Sequence, residues 1–189
     1  GAGSGKTRVL TYRIAHLVNN LGVSPKNIIA ITFTNKAAEE MQNRASRLIT
    51  DIQDMLITTF HSACVRFLRR DIDRLGYKRN FIIFDTLDQQ VLIKECLRSL
   101  NLDDKVFMPR TVLNYIGRAK DRLLTPAKCF DQVNDLYEKT MVRIYELYQE
   151  RLKASNALDF DDIIMCTVEL FKKHPSILSR YQERFYHVL

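Results

Sequence analysis

The amino-acid sequence predicts an α/β fold in which a parallel sheet is interrupted by a block of helices. Two short apolar runs with β-branched residues, at 28–31 (IIAI) and 55–58 (MLIT), predict buried parallel strands. Each run is followed by a polar loop and a helical pattern, which is the order of elements in doubly wound α/β folds. Between residues 85 and 156 we find helical patterns only. The 189 residues suffice for a substantial hydrophobic core.

A glycine-rich stretch opens the chain. It consists of Gly1, Ala2, Gly3, Ser4, Gly5, Lys6 and Thr7. Glycines let backbone N–H groups approach a polyphosphate, and the N-terminus of the following helix adds a partial positive charge. Lys6 is placed to reach the outer phosphates, and the Thr7 hydroxyl to hold a Mg²⁺ ion that also binds the nucleotide. The stretch therefore predicts a nucleotide-binding loop; the alternative is a flexible glycine-rich N-terminus.

Three helices are predicted in the first part of the chain, where apolar residues recur at helical spacing. They cover residues between 10 and 21, between 38 and 48, and between 64 and 75. Gly22 is a typical stop for the first of them. The second and third helices each follow one of the predicted strands, as expected of strand–helix units in a parallel sheet.

The two predicted strands end in similar residues. The segments that follow them are Thr32, Phe33, Thr34 and Asn35, and Thr59, Phe60, His61 and Ser62. Ligands of doubly wound folds bind at the carboxyl ends of the strands, so both segments are candidates for binding. By residue type alone, a Phe at such a position is more typical of the core than of a ligand platform. His61 suits either a phosphate contact or packing within the loop.

The helical block begins after the apolar run 81–84. Thr86 and Gln89 form a capping-box pattern for its first helix, and Pro109 opens another, whose apolar pattern extends to Leu123. Apolar residues between 133 and 152 predict a long one. The basic residues of this block include Arg110, Arg118, Lys120, Arg122 and Lys128. They fit either a DNA-facing surface or the solvated side of amphipathic helices, and the sequence favours neither.

Residues 158–162 (LDFDD) form the next polar segment. Asp159 is a good helix N-cap, and acids in a first turn suit the helix dipole. Three carboxylates within four residues also suit a metal ion, but no other ligand cluster lies near in the sequence, so a capped helix is favoured. Pro175 begins a further helix, and residues 186–189 predict the start of a strand.

The composition favours an anionic partner and a reducing compartment. Lys and Arg number 29 against 22 Asp and Glu, a formal charge of +7, which favours nucleic acid first and an anionic membrane surface second. No apolar run is long enough to span a membrane. The four cysteines, Cys64, Cys96, Cys129 and Cys166, form no C-x-x-C pair, which suits reduced cytoplasmic thiols.

Five segments together resemble the N-terminal part of UvrD/PcrA/Rep-type superfamily 1 DNA helicases. They are GAGSGKTRVLTYRIAHLV (1–18), ITFTNKAAEEM (31–41), TFHS (59–62), LDFDD (158–162) and RYQERFYHVL (180–189). The first resembles the phosphate-binding loop of that family and its helix, and the last resembles the approach to its acidic motif. The order and spacing of the segments match over essentially the whole chain.

The resemblance implies a RecA-like P-loop NTPase fold, with a parallel sheet and an inserted all-helical subdomain. On this basis residues 1–84 are the first part of the ATP-binding domain, 85–156 the helical subdomain, and 157–189 the continuation of the domain. The resemblance also implies a motor that uses ATP and Mg²⁺ to move 3′-to-5′ on single-stranded DNA and to unwind duplex at single-/double-strand junctions. Repair or replication in the cytoplasm, at the nucleoid and not at a membrane, would be its setting.

Two sets of site residues follow from the resemblance. The ATP site is implied to contain Gly1, Ala2, Gly3, Ser4, Gly5, Lys6, Thr7 and Arg8. The DNA track is implied to contain Phe33, Thr34, Asn35, Thr59, Phe60 and His61. An aromatic ring at a strand end can stack on bases without reading their sequence, so the resemblance replaces the core interpretation of Phe33.

The resemblance also implies further parts of the catalytic machinery beyond these 189 residues. They are an acidic motif that holds Mg²⁺ and positions water, a glutamine segment that contacts adenine, and a second RecA-like domain with arginine fingers. We therefore expect residues 1–189 alone to lack helicase activity and to hydrolyse little or no ATP. The competing interpretations are another P-loop phosphotransferase and a non-catalytic DNA-binding module that retains the loop.

Overall fold

The computed structural model describes residues 5–189, and for Lys6 the backbone only. The described chain divides into two compact units, formed by residues 5–66 with 171–189, and by Phe67–Leu170. In chain order its main elements are α1 (Lys6–Asn19), β1 (Ile28–Thr32), α2 (Asn35–Ala45), β2 (Leu56–Thr59), α3 (Phe60–Asp71), β3 (Ile82–Ile83), α4 (Thr86–Ser99), α5 (Pro109–Asp121), α6 (Pro126–Phe130), α7 (Leu136–Ala154), β4 (Ala157–Leu158), α8 (Phe160–Lys173), α9 (Pro175–Arg184) and β5 (His187–Val188). No helix within residues 5–189 is long and apolar enough to cross a membrane.

A three-stranded parallel sheet with strand order β2-β1-β5 forms the centre of the first unit. Thr32 lies opposite Thr59 across the β1–β2 pair, and Ile29 lies opposite Val188 across the β1–β5 pair. The first three residues of β1 are buried, as a continuous β-branched run predicts. The predicted parallel strands at 28–31 and 55–58 are thus confirmed to within one residue, and so is the strand predicted at 186–189.

Helices α1 and α2 pack their apolar faces onto this sheet. The buried cluster they form with the strands and the 45–55 segment consists of Ile14, Leu17, Ile28, Ala30, Met41, Ala45, Ile49, Ile52 and Met55. The helical spacing that predicted these helices therefore marks the side chains that face the core.

Helices dominate the second unit, together with a two-stranded parallel ladder of β3 and β4. Strand β4 was not predicted, because two residues carry no detectable periodicity. The largest buried cluster joins α4, α5, α6 and α7. It consists of Leu92, Ile93, Cys96, Leu97, Phe107, Val112, Ile116, Ala119, Cys129, Met141, Val142, Ile144, Tyr145, Tyr148, Leu152 and Ala157.

The helical subdomain predicted at 85–156 lies inside this second unit, whose boundaries at 67 and 170 are wider. Helices α3 and α8 each begin in one unit and end in the other. The role of this block as an insertion in a RecA-like domain stays a prediction.

The capping box of α4 lies one residue earlier than the sequence pattern indicated. Asp85, not Thr86, is the N-cap: its carboxylate accepts hydrogen bonds from the backbone N–H groups of Leu87 and Asp88, at 2.7 and 2.9 Å. The Asp88 carboxylate in turn accepts from the Asp85 N–H at 3.0 Å. An ionised carboxylate is a stronger acceptor for these amides than a hydroxyl, which explains why the Asp85–Asp88 pair replaces the predicted Thr86–Gln89 pair.

Several helices end earlier than their apolar patterns indicated; α2, for example, ends at Ala45 and not near residue 48. Helix α1 ends at Asn19, and Gly22 then adopts the left-handed conformation with φ 67°. Helix α3 ends at Asp71, and a 3₁₀ turn continues to Leu75. Helix α5 ends at Asp121, because Leu123 has a positive φ of 56°. Tight turns can keep apolar side chains in a helical register after the α-helix itself has ended.

Candidate functional site

The start of α1 carries the described part of the predicted nucleotide-binding loop. Gly5 is the N-cap, with φ 72° and ψ −10°, a left-handed conformation that glycine adopts without a steric penalty. The first turn of α1 contains no acidic side chain. The partial positive charge of the helix N-terminus is therefore not neutralised within that turn, which favours an anion there. Gly1, Ala2, Gly3 and Ser4, which belong to the predicted ATP site, lie outside the described residues.

Thr7 and Arg8 occupy the first turns of α1 in different environments. Thr7 is half-buried, and its carbonyl oxygen accepts a hydrogen bond from the Thr11 hydroxyl at 2.8 Å. Within the part of the chain that the structure describes, the Thr7 hydroxyl itself has no hydrogen-bond partner. Arg8 is exposed, and its guanidinium carbon lies 5.8 Å from the centroid of the Tyr12 ring, within cation–π range.

A cleft of about 250 Å³ lies beside these residues in the first unit. It is lined by Arg8, Thr11, Tyr12, Arg44, Arg47 and Leu48. Arg44 already pairs with the carboxylate of Glu40. The guanidinium groups of Arg8 and Arg47 beside an aromatic ring still suit an anionic or planar ligand. Of these residues, sequence reasoning identified only Arg8. The (i, i+4) spacing of Arg8 and Tyr12 could have indicated that their side chains are neighbours on α1. The approach of Arg44 and Arg47 could not be predicted in this way, because it depends on how α1 and α2 pack.

The carboxyl ends of β1 and β2 meet at one edge of the sheet. Because Thr32 and Thr59 are partners in the parallel register, Phe33 and Phe60 leave neighbouring strands side by side. The Phe33 side chain is fully exposed, at 101% of its reference area, and Phe60 is exposed to 48%. Two aromatic side chains held at a sheet edge in this way are available to stack on a ligand instead of filling the core.

Polar contacts fix the two loops that carry these aromatics. Thr34 is the N-cap of α2, since its hydroxyl accepts from the Ala37 N–H at 3.1 Å, and the Thr32 hydroxyl donates to the Thr34 carbonyl at 3.0 Å. Thr59 is buried, and its hydroxyl lies 2.8 Å from that of Ser62. Thr34 and Thr59 therefore support the loops.

The remaining predicted DNA-track residues, Asn35 and His61, are exposed in the first turns of α2 and α3. Both helices begin at the strand ends that carry Phe33 and Phe60. The structure thus brings these predicted track residues together at one edge of the sheet.

The LDFDD segment forms a second polar site, which lies in the second unit. Asp159 caps α8, accepting a hydrogen bond from the Asp162 N–H at 2.8 Å, which confirms the predicted cap. Both carboxylates also pair with the ammonium group of Lys120, at 2.6 Å from Asp159 and 2.8 Å from Asp162. Tyr148 and Gln149 of α7 donate to them as well. We refer to Lys120, Tyr148, Gln149, Asp159 and Asp162 as the buried charge cluster.

The buried charge cluster corrects the expected surface position of Lys120 and bears on the alternative of a metal site at LDFDD. Lys120 was grouped with basic surface residues, but its side chain is fully buried, because α5 turns it toward the start of α8. The alternative of a metal site at LDFDD finds no support, since the described residues contain no group of three His, Cys, Asp or Glu side chains placed to hold a metal ion. A lysine ammonium pairs with the acids instead.

Comparison with known proteins identifies the family. The family model for the UvrD/REP helicase N-terminal domain matches residues 1–189. The chain belongs to the UvrD/REP helicase family. The ATP-dependent DNA helicase PcrA of Staphylococcus aureus (strain NCTC 8325 / PS 47) is 48% identical over 189 residues, which is 100% of this chain. PcrA of Staphylococcus epidermidis (strain ATCC 12228 / FDA PCI 1200) is 49% identical over the same length.

The match covers only part of these relatives. The 189 residues span 26% of the length of each PcrA protein. The family relationship therefore applies to an N-terminal domain, and the predicted nucleotide-binding loop, the two Thr-Phe strand ends and the LDFDD segment all lie within the matched residues.

Proposed function

We propose that residues 1–189 are the N-terminal, RecA-like part of an ATP-dependent DNA helicase that moves 3′-to-5′ on single-stranded DNA and unwinds duplex at single-/double-strand junctions. In this proposal the second unit contains the inserted helical subdomain at 85–156, and a second RecA-like domain completes the motor. The setting is DNA repair or replication in the cytoplasm, at the nucleoid. Membership of the UvrD/REP family and the likeness to the PcrA helicases support the proposal.

The observation that carries the proposal is the pair of exposed aromatics at the adjoining ends of β1 and β2. Phe33 is fully exposed on a loop fixed by Thr32 and Thr34, although exposing an apolar ring to water has a cost in free energy. A base stacked on the ring would recover that cost without any requirement for sequence. A track for single-stranded DNA explains the exposure of Phe33 and Phe60, whereas a small-molecule phosphotransferase does not.

The start of α1 provides the nucleotide end of the proposed motor. The backbone N–H groups after Gly5 and the positive helix terminus suit the phosphates of ATP. Lys6 would neutralise the outer phosphates, and the Thr7 hydroxyl, which has no partner among the described residues, would hold the Mg²⁺ ion. Arg8, stacked near Tyr12, lies one residue further along α1 and would contact the nucleotide. Mg²⁺ supplies charge stabilisation to the transferring phosphoryl group when it is bound.

The experiment that tests the proposal is DNA-stimulated ATP hydrolysis by the intact protein, with oligo(dT) as the single strand. In Lys6→Ala we expect the stimulated rate to fall by about 10²–10³-fold, the scale of removing one preorganised charge-stabilising group. Lys26→Ala is the matched control, because Lys26 is an exposed lysine of the same unit that lies outside the loop. Its stimulated rate should equal that of the wild type.

Two outcomes of this experiment would contradict the helicase proposal. DNA binding without any hydrolysis would indicate a non-catalytic DNA-binding module. Phosphoryl transfer that DNA does not stimulate would indicate another P-loop phosphotransferase.

The isolated residues 1–189 are proposed to be inactive. In this proposal Lys6 and Thr7 contribute to catalysis but do not form a complete catalytic set, and residues 1–189 match only 26% of the length of the PcrA helicases. A turnover assay on residues 1–189, with and without single-stranded DNA, checks this. Robust DNA-stimulated hydrolysis by these residues alone would contradict it.

A further inference from the structure

The buried charge cluster of the second unit has an unequal number of acids and bases. The side chains of Lys120, Asp159 and Asp162 are 0%, 2% and 1% exposed. With one ammonium and two carboxylates ionised, the cluster carries one excess negative charge away from water. Burying an uncompensated charge costs several kcal/mol, so such a group tends to be neutralised.

Hydrogen bonding inside the cluster is less complete at Asp162 than at Asp159. The Asp159 carboxylate accepts from Lys120 at 2.6 Å, from the Tyr148 hydroxyl at 2.9 Å and from the Asp162 N–H at 2.8 Å. At Asp162, one oxygen accepts from Lys120 and from Gln149, whereas the other has a single long contact of 3.3 Å to the Asp159 N–H. A proton taken up by the cluster therefore belongs on Asp162.

Gln149 can serve Asp162 in either protonation state. Its amide nitrogen lies 2.7 Å from Asp162 Oδ1 and donates to the ionised carboxylate. Among the described residues, Gln149 Oε1 is a buried oxygen without a hydrogen-bond partner. An amide can be turned over with little change in shape, and in that orientation Oε1 would accept a hydrogen bond from a protonated Asp162. No other hydrogen bond of Oε1 would be lost.

The groups that surround Asp162 do not replace the missing positive charge. From the elements packed around it, the polar or titratable neighbours are Lys120 of α5, Tyr145, Tyr148 and Gln149 of α7, Asp159, Asp161, Cys166 and Glu169 at or near α8, and Tyr77 before β3. Lys120 is the single cation in this set. Burial alone would lower the pKa of Lys120, but the Asp162 and Asp159 carboxylates outweigh burial and raise it, so Lys120 stays charged at neutral pH.

We propose that the buried charge cluster takes up one proton from solvent on Asp162 at mildly acidic pH, and that this proton strengthens the packing of α5, α7 and the start of α8. With Asp162 protonated, the cluster contains one cation and one anion and is neutral. At higher pH the excess negative charge returns and weakens the same contacts. The cluster thus makes the stability of the second unit depend on pH, independently of the proposed helicase function.

The sign and the size of the effect follow from linkage. Burial, the largest cause, raises the pKa of Asp162 from 3.8 to about 6, although Lys120 opposes the rise. A group whose pKa is higher in the folded state stabilises that state most at low pH, and this contribution is lost as the pH rises through the folded pKa. For a single group with these two pKa values, the folded-to-open ratio falls about tenfold between pH 5 and 7.5.

The test is hydrogen–deuterium exchange of the intact protein, measured by mass spectrometry on peptides from α5, α7 and residues 160–170. Exchange is compared at pH 5 and pH 7.5 after correction for the intrinsic exchange rate. We expect protection of these peptides in the wild type to fall about tenfold at the higher pH. In Asp162→Asn, which cannot take up the proton, protection should be equal at the two pH values.

Asp104→Asn is the matched control, since Asp104 is an exposed aspartate in a loop of the same unit. It should retain the wild-type difference between the two pH values. A wild-type profile without a pH difference would overturn the proposal, and this result needs no variant to fold. A tenfold difference in protection between the two pH values that persists in Asp162→Asn would also overturn the proposal, because the cluster would then be a purely structural ion pair.

Discussion

The two units of this chain place their chemically distinctive side chains in opposite environments. In the first unit, Phe33 is an apolar ring that is fully exposed at the end of a strand. In the second unit, Lys120 is a cation that is fully buried between two carboxylates. Each arrangement has a cost in free energy, for exposing apolar surface or for removing charge from water. The difference is that none of the described residues covers the Phe33 ring, and in our proposal a base would cover it, whereas the Lys120 ammonium already has its partners inside the protein.

If Phe33 acts on a ligand as proposed, and Lys120 holds the fold, substitutions at the two positions should have different effects. Substitution of the exposed aromatic should change binding and leave stability unchanged. Substitution of the buried cation should change stability first.

Lys120→Ala should reduce the free energy of unfolding by about 3–5 kcal/mol, because it leaves two buried carboxylates without their cation. Urea unfolding of the intact protein, followed by circular dichroism, measures the change. Lys128→Ala is the control, since Lys128 is an exposed lysine of the same unit and should change the free energy of unfolding by less than about 0.5 kcal/mol. Equal losses of unfolding free energy in Lys120→Ala and Lys128→Ala would contradict the prediction that the buried lysine holds the fold.

Phe33→Ala should weaken binding of single-stranded DNA by about 1–3 kcal/mol, or roughly 5- to 150-fold, through loss of one stacking platform. Fluorescence anisotropy with a labelled oligo(dT) at fixed salt measures the affinity, and urea unfolding should show no loss of stability. Phe130→Ala, an exposed Phe in α6 of the other unit, is the matched control. If Phe33→Ala destabilised the protein and left DNA affinity unchanged, Phe33 would be a structural residue.

Asp85→Ala should lower the free energy of unfolding by about 1 kcal/mol, because α4 loses the acceptor for two backbone N–H groups. Thr86→Ala, at the position that the sequence pattern indicated as the cap, should change stability by less than about 0.5 kcal/mol. Both values come from the same urea titration. A larger loss in Thr86→Ala than in Asp85→Ala would restore the pattern-based assignment.

Local sequence patterns were sufficient for much of the fold. The β-branched runs predicted β1 and β2 to within one residue, since a short buried strand has a distinctive composition. The Asp159 cap was predicted because capping involves only residues three positions apart. The cap of α4 was predicted one residue late, at Thr86 and not at Asp85, because the Asp85–Asp88 and Thr86–Gln89 patterns overlap. Only the side-chain hydrogen bonds show which of the two patterns forms the capping box.

The candidate site was predictable where its residues form contiguous motifs. The loop into α1 and the two Thr-Phe segments are continuous in sequence, so their residues were identified together. Arg44, Arg47 and Tyr12 were missed, because they join Arg8 in one cleft only through the packing of α1 and α2. The same limit applies to Lys120, which lies 39 residues from Asp159 in sequence and 2.6 Å away in space.

Short segments of the sequence were sufficient to indicate the family, the strands β1, β2 and β5 and the residues that follow β1 and β2, whereas β4 and α6 were not predicted. Residue type alone favoured a core position for Phe33, and the family resemblance placed it on the DNA track; the structure shows that its ring is exposed. The structure also shows that Lys120 is buried, which no sequence pattern indicated. The reason is physical: burial of a side chain depends on which other elements cover it, and a pattern of spacing along one element carries no information about its neighbours. The burial of Lys120, which sequence reasoning had grouped with surface residues, became evident only from the packing of α5 against the start of α8.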